Sequence, residues 1–285
     1  MEPKQATLEP DERATAGAWK WLLDQRDSPR EPSSRPQPES DAERAFLDLY
    51  EPFLGSCVDR SIVIAHLGQS IDGFIATHAG DSYYVNGPQN LDHLHRMRAL
   101  ADAVVVGAGT VMADDPALTT RRVSGPHATR VILEGRRRLD DSYRVFADGA
   151  ARTLLVRSDD VAGSQQHGKA EVVGVPGRDS FVDPSSLIDA LARRGLRRIF
   201  VEGGGLVVSQ FLASGVLDRL HLAIAPVMIG QGRRGIAAPT YPRLVDCLRP
   251  AYRLYRMGED LLFDYDLRAA PDPESELLSD LARLR

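Results

Sequence analysis

The sequence predicts an α/β fold: a mostly parallel central sheet flanked by helices, with antiparallel strands at the C-terminal edge. Three observations predict it. From residue 60 onward, short apolar runs alternate with helical patterns, the texture of βαβ units. Beyond residue 215 the apolar runs continue with little helix between them, as in antiparallel strands. The chain has 285 residues, 43% of them apolar and 26% charged, enough to bury a core without disulfides or a structural metal.

The first 56 residues read as an appendage. Asp11 is placed to cap a short helix carrying Trp19, Leu22 and Leu23. Residues 28–41, SPREPSSRPQPESD, hold almost nothing apolar and read as a linker or disordered stretch. Asp41 is placed to cap a second helix, with Ala42, Ala45, Phe46, Leu49 and Phe53 at helical spacing. The body of the protein is expected over residues 57–270, followed by a tail over 271–285.

Within that body, Ile62–Leu67, Val104–Val106, Arg130–Leu133, Thr153–Val156, Glu171–Val175 and Ile199–Val201 read as buried strands. Pro88–Ala101 and Pro184–Arg194 read as helices. The second has Asp183 to cap it, Pro184 at its first position and Gly195 to end it. A further helix spans roughly Leu206–Ser214 and stops at Gly215. Leu220–Pro226, Tyr252–Met257 and Leu261–Leu267 read as the late strands, with a turn at Gly258-Glu259-Asp260 joining the last two.

Charge and motifs exclude several classes. Forty acidic against 35 basic residues give a net charge of −5, without the basic excess that neutralising duplex phosphates needs. No apolar run reaches the ~18–20 residues of a membrane span. Two cysteines, Cys57 and Cys247, are too few for a disulfide framework, and the start lacks a signal-peptide pattern. A cytoplasmic protein with no nucleic-acid or membrane partner is expected. Metal-ligand spacings are absent, as are the zinc-deaminase signature and the G-x-S-x-G elbow, so no metal is expected.

Two glycine-rich turns follow strands: Gly107-Ala108-Gly109-Thr110 and Glu202-Gly203-Gly204-Gly205. Such turns let backbone approach a phosphate at a helix N-terminus, though each alone is equally a plain tight turn. Met112 stands where the dinucleotide fingerprint has its third glycine. Glu202 would face a neutral or amine-bearing part of a ligand, or cap local N–H groups. Arg98 falls at the edge of a stripe formed by Leu91 and Leu94; phase favours snorkelling over facing a buried anion. Arg121 reads as an exposed loop residue, and His66 as a packed strand residue. The run Arg136-Arg137-Arg138 reads as a solvated loop that could instead meet a cofactor phosphate.

Together these pieces resemble the reductase half of the bifunctional riboflavin-biosynthesis deaminase/reductase family, whose fold is like dihydrofolate reductase. Leu67–Ala76, Gly80–Tyr84, Gly109–Thr119, Val201–Gly205 and Ala225–Gly230 carry the match, which spans about residues 60–267. The resemblance implies NADPH contacts at Gly68, Tyr84, Thr110 and Asp114, and along Gly204, Gly205, Leu206, Val207, Val208, Ser209 and Gln210. It implies substrate contacts at His66, Ser82, Arg98, Leu118, Arg121 and Glu202, with Ser82, Arg98 and Arg121 on a ribose 5-phosphate. Glu202 is the nearest candidate for a proton donor. Two departures stand out: His66 where the family usually has lysine, and Gly135 where it tends to have serine. The appendage stands where the deaminase half would be.

The expected activity is NADPH-dependent reduction of a ribosylamino-pyrimidine 5-phosphate, by a homodimer. Two other readings remain. One is a related reductase acting on another pyrimidine or pterin-like ring. The other is a non-catalytic nucleotide-binding protein.

Overall fold

The computed structural model describes residues 6–7, 12–27, 34–55, 60–83, 85–135, 138–159, 165–178, 181–238 and 240–268. Apolar and β-branched runs set the strands. In chain order these are β1 (Ala6–Thr7), β2 (Ile62–Ser70), β3 (Phe74–Thr77), β4 (Ala103–Gly107), β5 (Thr129–Leu133), β6 (Thr153–Ser158), β7 (Gln166–His167), β8 (Ala170–Val175), β9 (Gly177–Arg178), β10 (Phe181–Val182), β11 (Arg198–Glu202), β12 (Arg219–Ala225), β13 (Gly232–Arg234), β14 (Ala251–Met257) and β15 (Asp260–Asp266). The helices are α1 (Glu12–Asp27), α2 (Asp41–Tyr50), α3 (Pro88–Leu100), α4 (Ala108–Asp114), α5 (Arg144–Ala147), α6 (Pro184–Ala192) and α7 (Gly205–Ala213).

The main sheet has the order β1-β14-β15-β12-β2-β11-β4-β5-β6-β8-β7. Strands β12, β2, β11, β4, β5, β6 and β8 run parallel. Strand β15 runs antiparallel to both β12 and β14, which gives the expected C-terminal edge. That edge is not the last strand, because Ala6 and Thr7 add β1 alongside β14. The turn at Gly258 joins β14 to β15 with Met257 opposite Asp260. Two short ribbons, β3 with β13 and β9 with β10, lie outside the main sheet. No described helix is long and apolar enough to cross a membrane.

The sheet buries both faces. One is covered by α6 and α7: Leu187, Leu191, Val208 and Phe211 pack on Val63, Val105, Val131, Ile199 and Val201. The other is covered by α1, α2 and α3: Leu22, Phe46, Leu49, Tyr50, Met97 and Leu100 pack on Ile62, Ile64, Val104 and Phe200. Parallel strands covered on both sides read as nearly continuous apolar runs, which made them easy to locate.

Caps explain the helix limits. Asp183 accepts from Ser186 N at 2.8 Å and starts α6. Gly195, at φ +77, closes it, with Leu196 N bonded to Leu191 O. The cap of α2 is Ser40 and not Asp41. Its hydroxyl accepts from Glu43 N, and Glu43 accepts from Glu39 N at 2.7 Å. Ser40-Asp41-Ala42-Glu43 is a capping-box pattern that the apolar spacing hides. Phe53 is fully buried, but on a separate turn over Glu51–Leu54, because Pro52 ends the helix pattern. Asp11, Cys57 and residues 28–33 of the linker lie outside the described residues. Farther along, Arg35 pairs with Asp48 and Glu51 and ties the 34–39 segment to α2.

Candidate active site at the carboxyl rim of the sheet

In a parallel sheet, ligands bind beyond the carboxyl ends of the strands. Here β4 and β11 end side by side and lead into the two glycine turns. The turns abut: a Cβ on Gly107 would meet Val207 Cγ2 at 2.7 Å, and one on Gly204 would meet Thr110 Oγ1 at 3.0 Å. Gly204 holds φ +73, a conformation that side chains disfavour, and opens α7 with no side-chain cap. Gly205 admits no Cβ, since one would lie 2.2 Å from Gly235 O.

Between these turns is a cavity of about 450 Å³. Of the residues the resemblance assigns to the cofactor, Thr110, Gly204, Gly205, Leu206, Val207 and Gln210 line it. Val208 instead packs fully buried on the sheet. Ser209 is also buried; its hydroxyl donates to Gly205 O and accepts from Ala237 N. Gly68 packs against the Asn86 side chain on β2. Asp114 ends α4, where burial raises its pKa against the pull of the Arg233 cation. Tyr84 lies outside the described residues. Arg138 and Arg233 also line the cavity, as does Gly135. The fit to an anionic dinucleotide is good: a helix N-terminus, close backbone and two cations converge on one slot.

A second cluster stands beside the cavity on the α3 face. Glu202 precedes Gly203-Gly204, so the strand that opens the cavity also carries the cluster's carboxylate. Arg98 donates from Nε to Glu202 Oε2 at 2.6 Å, from Nη2 to Oε1, and from Nη1 to Thr119 O at 3.0 Å. Arg98 therefore does not snorkel to water; it is 7% exposed and faces a buried anion, which is the protein's own carboxylate. Burial works against its charge, and Glu202 outweighs burial and raises its pKa. Glu202 holds this guanidinium and does not cap local N–H groups.

Arg121 lies on the exposed loop after α4, with Nη1 donating to Thr119 Oγ1 at 2.8 Å. Burial and the cations of Arg98 and Arg144 lower its pKa, against the pull of Glu202. Leu118, just before Thr119, is buried at φ +51, an uncommon conformation for a side-chain-bearing residue. Ser82 sits half-buried on the turn after β3, and no described contact joins it to either arginine.

His66 is a packed residue, as its strand position suggests. It is 3% exposed and bonds Asn90 Oδ1 through Nε2 at 2.9 Å. Burial first, then His221, pushes its pKa down to about 3, so it is neutral at pH 7. It belongs to a polar row across the sheet: Glu202, His66, His221 and Asp264 are consecutive register partners on β11, β2, β12 and β15. Above the row, His93 bonds His221 Nδ1 at 3.1 Å and Tyr50 OH at 2.9 Å. His221 Nε2 lies 3.3 Å from Asp264 Oδ1, and Arg219 clamps both oxygens of Asp264.

Sequence reasoning missed Asn90, His93, His95, Thr119, His221 and Asp264 as parts of this cluster. The available signal was polar residues at helical phase on α3 facing polar residues at matching strand positions. Among the described residues, no group of three or more His, Cys, Asp or Glu is arranged to hold a metal ion.

Comparison with known proteins decides the family. The model of the RibD C-terminal domain matches residues 61–248. The chain belongs to the RibD C-terminal domain family. It is 31% identical over 219 residues to the 2,5-diamino-6-ribosylamino-4(3H)-pyrimidinone 5′-phosphate reductase of Methanothermobacter thermautotrophicus, covering 73% of this chain and 99% of that one. It is 30% identical to the riboflavin biosynthesis protein RibD of Mycobacterium tuberculosis over 197 residues, 68% of this chain but 50% of that one. Among solved structures, the Thermotoga maritima diaminohydroxyphosphoribosylaminopyrimidine deaminase/5-amino-6-(5-phosphoribosylamino)uracil reductase matches with a TM-score of 0.63 and 26% identity. The match covers 79% of this chain and 62% of that one. The RibD C-terminal domain thus has here the dihydrofolate-reductase-like sheet that the resemblance implied.

Proposed function

We propose that this chain is an NADPH-dependent reductase of a ribosylamino-pyrimidine 5′-phosphate, turning the ribosyl group into a ribityl chain. The observation that carries it is the meeting of two unlike surfaces at one rim. Strand β11 ends on Glu202, which it supplies to the arginine cluster, and the turn into α7 supplies Gly204 and Gly205 to the cavity. Segment 108–121 supplies Thr110 to the cavity and Thr119 and Arg121 to the cluster. A dinucleotide in the cavity and a phosphosugar at Arg121 would touch across these shared segments.

NADPH would supply the hydride that ends on ribose C1′, as the bond from C1′ to the ring oxygen breaks and that oxygen takes a proton. The protein supplies position and charge. Arg121 holds the 5′-phosphate by charge-assisted bonds. Arg98, already held by Glu202, adds positive potential beside the phosphate. The α7 N-terminus and Arg138 and Arg233 hold the dinucleotide phosphates. Alignment of two bound reactants contributes on the order of 7–11 kcal/mol.

The experiment is steady-state kinetics of Arg121→Ala. KM for the phosphorylated substrate is expected to rise about 30-fold or more, with the Kd of NADPH unchanged. Equal loss of NADPH affinity would contradict the assignment. The same assays with NADH report cofactor preference. We read the chain as cytoplasmic and homodimeric; exposed Leu244, Val245, Leu248 and Tyr252 favour the dimer, which sedimentation checks.

A further inference from the structure

Capture of a phosphate by Arg121 requires that the main chain carry this residue to the right place. The carrying segment is irregular, and Leu118 within it holds a strained conformation. Such a segment stays in place only where its surroundings hold it. Side chains on α3 do so: Asp92 accepts from Arg122 Nε at 2.5 Å, and His95 takes the main chain. Arg121 N–H donates to His95 Nδ1 at 2.8 Å, and Arg122 N–H approaches the same nitrogen at 3.4 Å. His95 is 4% exposed and sits three residues before Arg98 on one helix. The same helix thus fixes Thr119 through the Arg98 bond to its carbonyl, and Arg121 through His95.

These contacts define the protonation of the ring. A nitrogen that accepts main-chain N–H groups carries no proton, so His95 is the neutral Nε2–H form. Its surroundings enforce this state. Burial, then the cations of Arg98, Arg121 and Arg122, lower its pKa to about 4, with Asp92 opposing. The acceptor is therefore present throughout the neutral range.

We propose that His95 is a positioning residue whose unprotonated Nδ1 holds the 119–122 main chain in the register that aims the Arg121 guanidinium at the substrate phosphate. This rests on the reading that Arg121 binds that phosphate. Lysine or arginine at position 95 could not serve, since neither accepts a hydrogen bond. Asparagine could, because its Oδ1 falls close to the place of the imidazole Nδ1. Phenylalanine keeps the ring volume and loses the acceptor. A packing role therefore ranks phenylalanine above asparagine, and an acceptor role ranks them in reverse.

The test uses the full chain and D-ribose 5-phosphate as probe, followed by calorimetry, with the Kd of NADPH as the control for folding. Arg121→Ala is expected to abolish measurable probe binding. His95→Phe is expected to weaken it about tenfold, the effect of roughly one lost hydrogen bond. His95→Asn should stay within about threefold of the native chain. If Arg121→Ala binds the probe normally, the phosphate reading fails. If Arg121→Ala loses the probe while His95→Phe keeps it, or His95→Asn is as weak as His95→Phe, the positioning role fails and the phosphate reading stands. Should His95→Phe not fold, ¹⁵N NMR of the native chain decides. An unprotonated Nδ1 and a protonated Nε2 at pH 7 are expected, and a proton on Nδ1 overturns the proposal.

Discussion

The glycine-lined cavity and the arginine–histidine cluster share one rim of one sheet, yet they are made of different parts of the chain. The cavity is framed by main chain: two glycine turns abut at its mouth, and Gly205 has the Gly235 carbonyl where a side chain would be, while side chains such as Leu206 and Arg233 complete the walls. The cluster is side chain: Arg98 on Glu202, His95 on Arg121, His66 on Asn90 and His93 on His221. A main-chain surface tolerates change except where a Cβ is forbidden. A side-chain surface depends on every pair, because a buried partner left alone loses its compensation.

Substitutions can break this contrast, and the largest effect is expected in the cluster. Arg98→Met leaves the Glu202 carboxylate unpaired at a nearly buried site and should cost about 3–5 kcal/mol of stability, read by denaturant unfolding. Adding Glu202→Gln should recover most of that loss; additive effects of the two changes would show that the pair is not coupled. Next comes Gly205→Ala, which drives a methyl into Gly235 O and should cost about 1–3 kcal/mol while weakening NADPH. If it binds NADPH and unfolds as the native chain does, the main-chain account of the cavity is wrong.

Acid sharpens the comparison. His66 and His95 have pKa values lowered to about 3 and about 4, and burial holds His93 well below its usual value. The unfolded chain titrates its histidines near 6.5 and so binds more protons than the folded one below that pH. The stability from keeping these rings neutral is therefore complete above pH 6.5 and declines as the pH falls toward 4 and 3. The slope is about 1.4 kcal/mol per pH unit for each fully buried ring. Hydrogen exchange should quicken on α3 before α7, since the α7 face carries none of these histidines. Equal quickening of both would remove the distinction. The smallest effect is expected at Tyr50→Phe, which removes the donor to His93 Nδ1 and should cost about 1 kcal/mol in thermal unfolding.

How much of each region was legible follows from the same contrast. The strands are runs of Val, Ile and Leu buried on both sides, and α6 carries its cap, its proline and its closing glycine in the sequence. The cavity was legible because its glycines are local. The cluster was not, because its pairs are 24, 104 and 128 residues apart at His66–Asn90, Arg98–Glu202 and His93–His221. On α3 the leucine phase misled: Leu91 is 41% exposed, while Asn90, His93 and Met97 face inward. A polar residue on a buried helix face resembles a surface residue until its strand partner is known. For the same reason Arg98 read as snorkelling. The first helices also gave no sign of their target; Phe46, Leu49 and Tyr50 join the core of the sheet itself.

The most direct measurement follows one hydrogen. The full chain would be mixed with NADPH deuterated at the nicotinamide C4 hydrogens and a ribosylamino-pyrimidine 5′-phosphate, and the product read by mass spectrometry and NMR. The account requires one deuterium per turnover on C1′ of a ribityl chain, with the cofactor oxidised in equal amount. Binding of both molecules without transfer, or deuterium on the ring instead of the sugar, would contradict it.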